Sequence, residues 1–467
     1  MLTYSFDNTA SECLYEQLYR AIKTDILRGV LTPGEKMPSK RKLAENLQIS
    51  VVTVETAYQQ LIAEGYLYPV EKRGYFVAQV EESLPLPTMP PRLSPPQEPE
   101  YFMDFQSNHI DGAQFPFSVW ARLMRQVLLE KDKKLLQPQT YNGVPELRQA
   151  IADYLYHARG MSVHPEQILI GSGTEYLYTL LIQLLGREKI YAVEDPGYQK
   201  IASIYRANGA SYRPIPVGRY GLSLRHLCQT DVNVLHISPS HHFPTGVVMP
   251  ISRRQELLKW AQEQPGRYII EDDYDSEFRF TGRPIPTLFS IDQHEKVLYI
   301  NTFSKTIAPS IRISYLILPP TLLEEYRRKL GFYACTVPSF EQYTLAQFIA
   351  GGSFERHIAR MKKRYRAQRD TVIAAIQSSP LAGHSTIYEK DAGLHFLMRL
   401  DTPFSDFQLK QRAADRAIRI ACLSEYLYAP APAYDHVLVI NYTGVDTARL
   451  PDALERLAQA AGISESR

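Results

Sequence analysis

Between residues 81 and 100 the chain reads EESLPLPTMPPRLSPPQEPE, with seven prolines and no glycine. Proline fixes φ and removes a backbone donor, so this stretch can form neither a helix interior nor a central strand. It runs extended and semi-rigid, as a spacer between folding units. The sequence therefore divides into residues 1–80, a linker at 81–100 and residues 101–467. The whole is long enough for two or three cores.

In residues 1–80 the apolar positions Leu14, Leu18, Ile22, Ile26 and Leu27 form a helical stripe that Gly29 ends. Ser39 can cap a second helix through Leu43, Ala44 and Leu47, and Ser50 a third through Val54, Ala57, Tyr58 and Leu61. Residues 65–68 and 74–77 then read as two strands around a charged tip, Glu71, Lys72 and Arg73. Two short helices joined by a tight turn and followed by a hairpin make a winged helix-turn-helix. These residues hold nine Lys/Arg and nine Asp/Glu, so the domain is not basic overall. The run 36–42 nevertheless carries Lys36, Lys40, Arg41 and Lys42 without an acid, at the start of the second helix. A solvated face is the plain alternative, but that position favours a phosphate clamp.

From Tyr101 onward helices alternate with short apolar strands, as in α/β folds. A strand at 268–272 ends in acids and is followed by Tyr274. Another at 296–300 leads into a loop with Thr302, Ser304, Lys305 and Thr306, and Arg312 follows before the strand at 315–318. A lysine among hydroxyls, near an arginine, can carry an aldehyde cofactor as a Schiff base, its phosphate held by the hydroxyls and the arginine. An acid at a strand's carboxyl end can pair with a pyridinium nitrogen. The strand at 167–170 opens through Gly171-Ser172-Gly173-Thr174 into a helix, a turn suited to phosphate. Taken singly, each segment also reads as an ordinary solvated loop.

Together the segments resemble known families. GVLTPGEKMPSKRKL, SVVTVETAYQQL and EGYLYPVEKRGYFV, spread over residues 10–78, are similar to the GntR-type DNA-binding domain. The resemblance implies that Ser39, Lys40 and Arg41 meet the DNA backbone or base edges. It places Ser50, Val51 and Thr53 at the start of the major-groove helix, and Arg73 and Gly74 in a minor-groove wing. Residues 101–467 resemble the fold-type I aminotransferases, which bind pyridoxal phosphate (PLP). That likeness implies Lys305 as the Schiff-base lysine, Asp272 as pyridinium partner, Tyr274 as donor to the ring hydroxyl and Tyr198 as stacking ring. Gly173, Thr174, Thr302, Ser304 and Arg312 would hold the phosphate. The pairing of both domains, with Ser-His-His-Phe-Pro at 240–244, resembles the MocR/GabR branch of the GntR superfamily. Its members are operator-binding transcription regulators, usually head-to-tail homodimers, whose PLP domain senses PLP, a small amine or an amino acid. The alternative reading is an active aminotransferase with an accessory DNA-binding domain.

Five departures from these patterns bear on chemistry. Val51 stands where a basic residue is common, although valine can touch a thymine methyl. Glu175 replaces a frequent glutamine beside the phosphate. Phe243 replaces the asparagine that touches the ring hydroxyl, leaving His241 as substitute. Pro138 replaces a tyrosine that reaches the partner's phosphate, with Tyr141 nearest. Val439 occupies the place of the arginine that binds a substrate carboxylate; Arg416 and Arg419 are assigned to an upstream helix, and Lys200 is the one close cation. These features favour PLP itself as effector, with little transamination of α-amino acids. Four scattered cysteines without CxxC spacing fit a reducing cytoplasm and argue against zinc. No apolar run reaches eighteen residues and no signal-like start exists, so neither a membrane nor export is expected.

Overall fold

The computed structural model describes residues 2–4, 6, 12–80, 99–107, 114–280, 282, 285–391 and 393–463. The Pro-rich stretch, apart from Pro99 and Glu100, lies outside them. By compactness the chain forms two units, Met1–Glu98 and Pro99–Arg467.

The first unit contains α1 (Leu14–Leu27), α2 (Lys40–Leu47), α3 (Val51–Ala63), β1 (Leu67–Val70) and β2 (Gly74–Val77). Ser39 Oγ accepts from the Lys42 amide at the start of α2, and Ser50 Oγ from the Thr53 amide at the start of α3. Each serine satisfies one of the donors that a helix start leaves unpaired. Leu18, Ile22 and Ile26 of α1 pack on Val54, Ala57, Tyr58 and Leu61 of α3, and Leu43, Leu67 and Val77 close the core. The Tyr58 hydroxyl stays in that core because it donates to the Pro38 carbonyl at 3.0 Å. β1 begins two residues later than the sequence pattern suggests and pairs antiparallel with β2, Leu67 facing Val77.

In the second unit β3 (Met103–Asp104) pairs with β14 (Ile418–Arg419). Arg419 is therefore a strand residue rather than a helical one, and it donates to Gln106 Oε1 at 3.0 Å. Helices α4 (Phe117–Lys131) and α5 (Pro145–Arg159) lead to β4 (Ile168–Gly171) and α6 (Thr174–Leu185). The main sheet then takes β5 (Ile190–Asp195), β6 (Ser211–Gly218), β7 (Gly221–Leu222), β8 (Val234–Ile237), β9 (Tyr268–Asp272), β10 (Val297–Thr302) and β11 (Ser314–Ile317). Their order is β4-β11-β10-β9-β8-β5-β6-β7. The run β10-β9-β8-β5-β6 is parallel, and β11 lies antiparallel between β10 and β4. Parallel strands buried on both faces need continuous apolar runs, and β8, β9 and β10 are buried almost throughout. A smaller sheet, β12 (Ser385–Tyr388), β13 (His395–Leu400) and β15 (Val437–Asn441), completes the unit.

The caps give a direct test of the first unit. Ser50→Ala is expected to lower its stability by about 1 kcal/mol, and Ser50→Gly by only a few tenths of that. Urea unfolding followed by a probe in residues 12–80 should show this difference.

Candidate functional sites

On the first unit, Ser39, Arg41, Lys42, Ser50 and the wing residues Arg73 and Gly74 are exposed. Gly74 has φ +109°, a left-handed conformation that glycine alone adopts without strain, and it lets the hairpin close behind the wing tip. Lys40 is less free: its ammonium lies 2.6 Å from Glu55 Oε1 on α3. The Thr53 hydroxyl lies 2.8 Å from Ser50 Oγ, inside the cap. Val51 is 41% exposed and its neighbour Val52 69%. Two exposed β-branched side chains thus stand at the start of α3, a chemistry that suits thymine methyl groups.

On the second unit, the carboxyl ends of β5, β8, β9 and β10 and the start of α6 surround a cavity of about 430 Å³. That size suits a small cofactor. Thr174, Tyr198, Asp272, Tyr274, Thr302, Ser304, Lys305 and Arg312 line it. Lys305 sits on a single helical turn, Phe303–Thr306, rather than in an open loop. Thr302 caps that turn: its hydroxyl accepts from the Ser304 amide at 3.1 Å and from the Ser314 hydroxyl at 2.8 Å. Thr302 is thus fully engaged within the fold, whereas Ser304 Oγ is buried without a partner. Gly173 has φ +96°, and a Cβ there would lie 2.6 Å from Arg312 Nη2, so glycine is what lets the guanidinium cross this turn.

At the opposite end, Asp272 Oδ2 accepts from the Tyr178 hydroxyl, while its Oδ1 is buried without a partner. His236 Nε2 lies 3.6 Å from Asp272 Oδ2, and His236 Nδ1 is 2.7 Å from the Tyr205 hydroxyl. Burial lowers the Lys305 pKa, with Asp275 opposing and Lys200 assisting. Burial also pushes the Tyr274 phenol well up, so it stays a donor. His241 lies outside the cavity lining. Its ring packs where Gly393 leaves room, and its Nδ1 lies 2.9 Å from Asp275 Oδ2 and 3.2 Å from the Tyr274 hydroxyl. It positions Tyr274 from behind, and Phe243 takes the wall itself.

An orphaned carboxylate oxygen and an orphaned hydroxyl, in the same cavity as a lysine of lowered pKa, fit a cofactor carrying an aldehyde, a phosphate and a ring nitrogen. Val439 is buried in an apolar cluster with Leu397, Leu423, Val437, Phe243 and Tyr426 and offers nothing to a carboxylate. Lys200 is already paired with Glu175 at 2.7 Å. Tyr141 accepts from Arg327 Nε at 2.9 Å within its own subunit.

The family profile of aminotransferase class I and II matches residues 100–457, and that of the bacterial regulatory proteins of the gntR family matches residues 14–77. The chain is 38% identical to the uncharacterized HTH-type transcriptional regulator YdeL of Bacillus subtilis, over 98% of this chain and 99% of that one. It is 31% identical to the probable rhizopine catabolism regulatory protein MocR of Rhizobium meliloti, over 98% and 96%. The chain belongs to the MocR-type GntR regulators. It is a DNA-binding transcription regulator with an aminotransferase-like domain. Another member of this family, the pyridoxine biosynthesis regulator PdxR of Corynebacterium glutamicum, is 30% identical over 96% of each chain. Kynurenine aminotransferase of Pyrococcus horikoshii superposes with a TM-score of 0.68 at 23% identity, over 77% of this chain and 90% of that one, which establishes the fold. Among the described residues no helix is long and apolar enough to cross a membrane, and no cluster of three or more His, Cys, Asp or Glu could hold a metal ion.

The sequence reading passed over several residues that the fold brings to these sites: Val52, Tyr178, Glu194, His236, Gln106 and Asn441. His236 and Ser238 are two apart at the end of β8 and both line the cavity, so strand parity alone pointed to His236. Glu194 Oε2 accepts from the Ser238 amide at 2.9 Å. Burial pushes the Glu194 carboxyl up to about 8. The folded state therefore binds a proton that the unfolded chain, near 4.5, gives up first. The resulting stability is full below pH 4.5 and is lost as pH rises through about 8. Glu194→Gln should flatten that part of the stability profile, measured by urea unfolding of the second unit at a series of pH values.

Proposed function

We propose that this chain is a cytoplasmic, homodimeric operator-binding regulator whose second unit holds PLP at Lys305 and reads its presence. The observation that carries the reading is the set of unsatisfied groups gathered around one lysine's cavity. Ser304 Oγ and Asp272 Oδ1 are both buried without partners, and both residues line the same cavity as Lys305. PLP would supply an electrophilic aldehyde and an electron-withdrawing ring. Lys305, with its lowered pKa, holds a larger neutral fraction than a free lysine and would be the residue to hold the aldehyde. Asp272 would hold a proton on the ring nitrogen, and the backbone at Gly173 and Thr174, with Ser304 and Arg312, would hold the phosphate. Tyr274, 3.2 Å from His241 Nδ1, would donate to the ring hydroxyl, and Tyr198 would stack on the ring.

The same geometry argues against full turnover on α-amino acids. A buried carboxylate needs a paired cation, and the place for it holds Val439 in an apolar cluster. PLP is therefore the effector we favour, and a small amine or amino acid is the alternative. The regulator PdxR carries pyridoxine biosynthesis in its name, which agrees with a vitamer-related signal. On DNA, Arg41 and the wing meet phosphates while Val51 and Thr53 enter the major groove.

The test of the cofactor is covalent capture. Borohydride treatment of PLP-loaded protein should fix PLP to Lys305, found by peptide mass, and Lys305→Ala should abolish it. The rate at which apo-protein takes up PLP covalently should rise with pH around a midpoint below 10.5, because burial disfavours the ammonium form of Lys305. Operator affinity of the apo and loaded proteins should differ. If PLP leaves affinity and footprint unchanged while one amine shifts both, PLP is not the signal.

For DNA, Arg41→Ala should weaken binding to operator and random duplex alike and lower the salt slope by about one. Thr53→Ala should change the preferred sequence instead. An unchanged slope for Arg41→Ala would remove α2 from the phosphate backbone.

A further inference from the structure

Glu175 lies in the first turn of α6 and holds both cations of the phosphate end. Its Oε1 is 2.7 Å from Lys200 Nζ, and its Oε2 is 3.6 Å from Arg312 Nη2. All three side chains are between 42% and 51% exposed, so these pairs are weak and exchangeable. The position also suits an anion for a second reason, because the start of a helix carries partial positive charge. The Lys200 hydrogen bond holds the Glu175 carboxyl below its usual range against the opposing effect of burial, with Arg312 assisting. The carboxylate is therefore ionised at neutral pH. An ionised carboxylate thus sits on the arginine that a phosphate must use, and beside the place where that phosphate's charge would lie.

We propose that Glu175 is a built-in competitor for the phosphate of PLP: it holds Arg312 and Lys200 in the apo-protein, and PLP binds by taking Arg312 from it. The inference rests on the reading of this cavity as a PLP site. The consequence is a raised concentration threshold. A protein whose cofactor is permanent gains from the tightest grip on phosphate, whereas a protein that reports a concentration must empty when the concentration falls. Like charge beside the phosphate weakens the grip without touching Lys305, Asp272 or Tyr274. It also keeps Lys200 neutralised, which removes the one cation available to an effector's carboxylate.

The competitor model separates ligands by their phosphate. Apo wild-type protein and Glu175→Gln would be titrated with PLP, with pyridoxal, which has the aldehyde and ring but no phosphate, and with inorganic phosphate as a competitor of PLP. Intrinsic fluorescence reports binding, and operator affinity is measured in parallel. Glutamine keeps the shape and can still accept from Lys200, so the fold should be retained. PLP should bind Glu175→Gln on the order of tenfold more tightly at low salt, with the gap narrowing as salt rises. Inorganic phosphate should compete at correspondingly lower concentration, and pyridoxal affinity should not change. The PLP concentration for half-maximal operator response should fall by the same factor. Equal strengthening of PLP and pyridoxal, or unchanged PLP affinity, overturns the inference while leaving the cofactor reading intact. Wild-type protein that binds neither PLP nor pyridoxal, with no borohydride adduct at Lys305, overturns both. Lys200→Gln provides the second variant. It leaves Glu175 less neutralised and should weaken PLP binding, and the double variant should recover most of that loss. If Lys200→Gln and the double variant behave alike, Glu175 is not competing with phosphate.

Discussion

Glu271, Asp272 and Asp273 are three consecutive buried carboxylates at the carboxyl end of β9, and the cavity depends on how each is satisfied. Side chains alternate along a strand, so Glu271 and Asp273 turn away from the face that Asp272 takes. Glu271 accepts from the Leu288 and Phe289 amides at 3.0 and 2.9 Å and lies 3.4 Å from Arg254, neither side chain being exposed. Asp273 lies 2.9 Å from Arg159 and accepts from the Tyr299 hydroxyl at 2.7 Å and the Ser276 hydroxyl at 2.8 Å. Loss of one partner from such a pair costs about 3–5 kcal/mol, because a buried charge is left uncompensated. The two flanking acids are therefore fixed anchors. Asp272, held between them, has the Tyr178 hydroxyl as hydrogen-bond donor to one oxygen, with His236 Nε2 3.6 Å away, and its other oxygen is buried without a partner. An acid in that state is costly to the empty fold, which is why it points to function rather than to stability.

The two sites differed in how far the sequence revealed them. The caps at Ser39 and Ser50 were readable because a cap is a local event, settled within three residues. Helix phase pointed to the buried stripe Val54, Ala57, Tyr58 and Leu61, and the same phase leaves Val52 outward, but a valine in an apolar run reads as core until the phase is followed through. In the second unit, Lys305 and Asp272 stood out as chemistry at strand ends. The separate tasks of Thr302 and Ser304 did not, since the engagement of Thr302 depends on Ser314 across a strand pair. The surroundings of His241 were not readable, since its ring meets Asp275, the Tyr274 hydroxyl and the space above Gly393, all more than 30 residues on. The Glu175–Lys200 pair spans 25 residues and two helices, and no pattern within either helix announces it.

The two ends of the cavity impose opposite conditions. Around Glu175 the cavity is charged and partly exposed, where Lys200 and Arg312 meet that carboxylate. Another part of the wall is apolar, where Phe243 and Tyr426 line the cavity and pack with Val439. The aminotransferase fold is thus kept with a lysine, an acid and an arginine in its cavity and with valine in place of a cation on that strand. Fold alone would not have separated these outcomes, because function resides in the site.

Each unit has a core built from its own residues, as the helices α1 to α3 close around Leu18, Val54 and Leu61 without help from the sheet. A signal from a ligand in the cavity would therefore reach DNA only as a free-energy difference between arrangements of the regulator. The size of that difference is bounded by the ligand's own binding. A ligand at a hundred times its Kd contributes about 2.7 kcal/mol, which shifts a two-state balance by about a hundredfold. Reversing a balance from 1:99 to 99:1 requires about 5.5 kcal/mol. In a homodimer with one such site per chain, two ligands that bind a single arrangement would together contribute about 5.5 kcal/mol, enough for that reversal. Any affinity for the other arrangement lowers that figure, and the two arrangements would then have to lie closer in free energy before the ligand arrives.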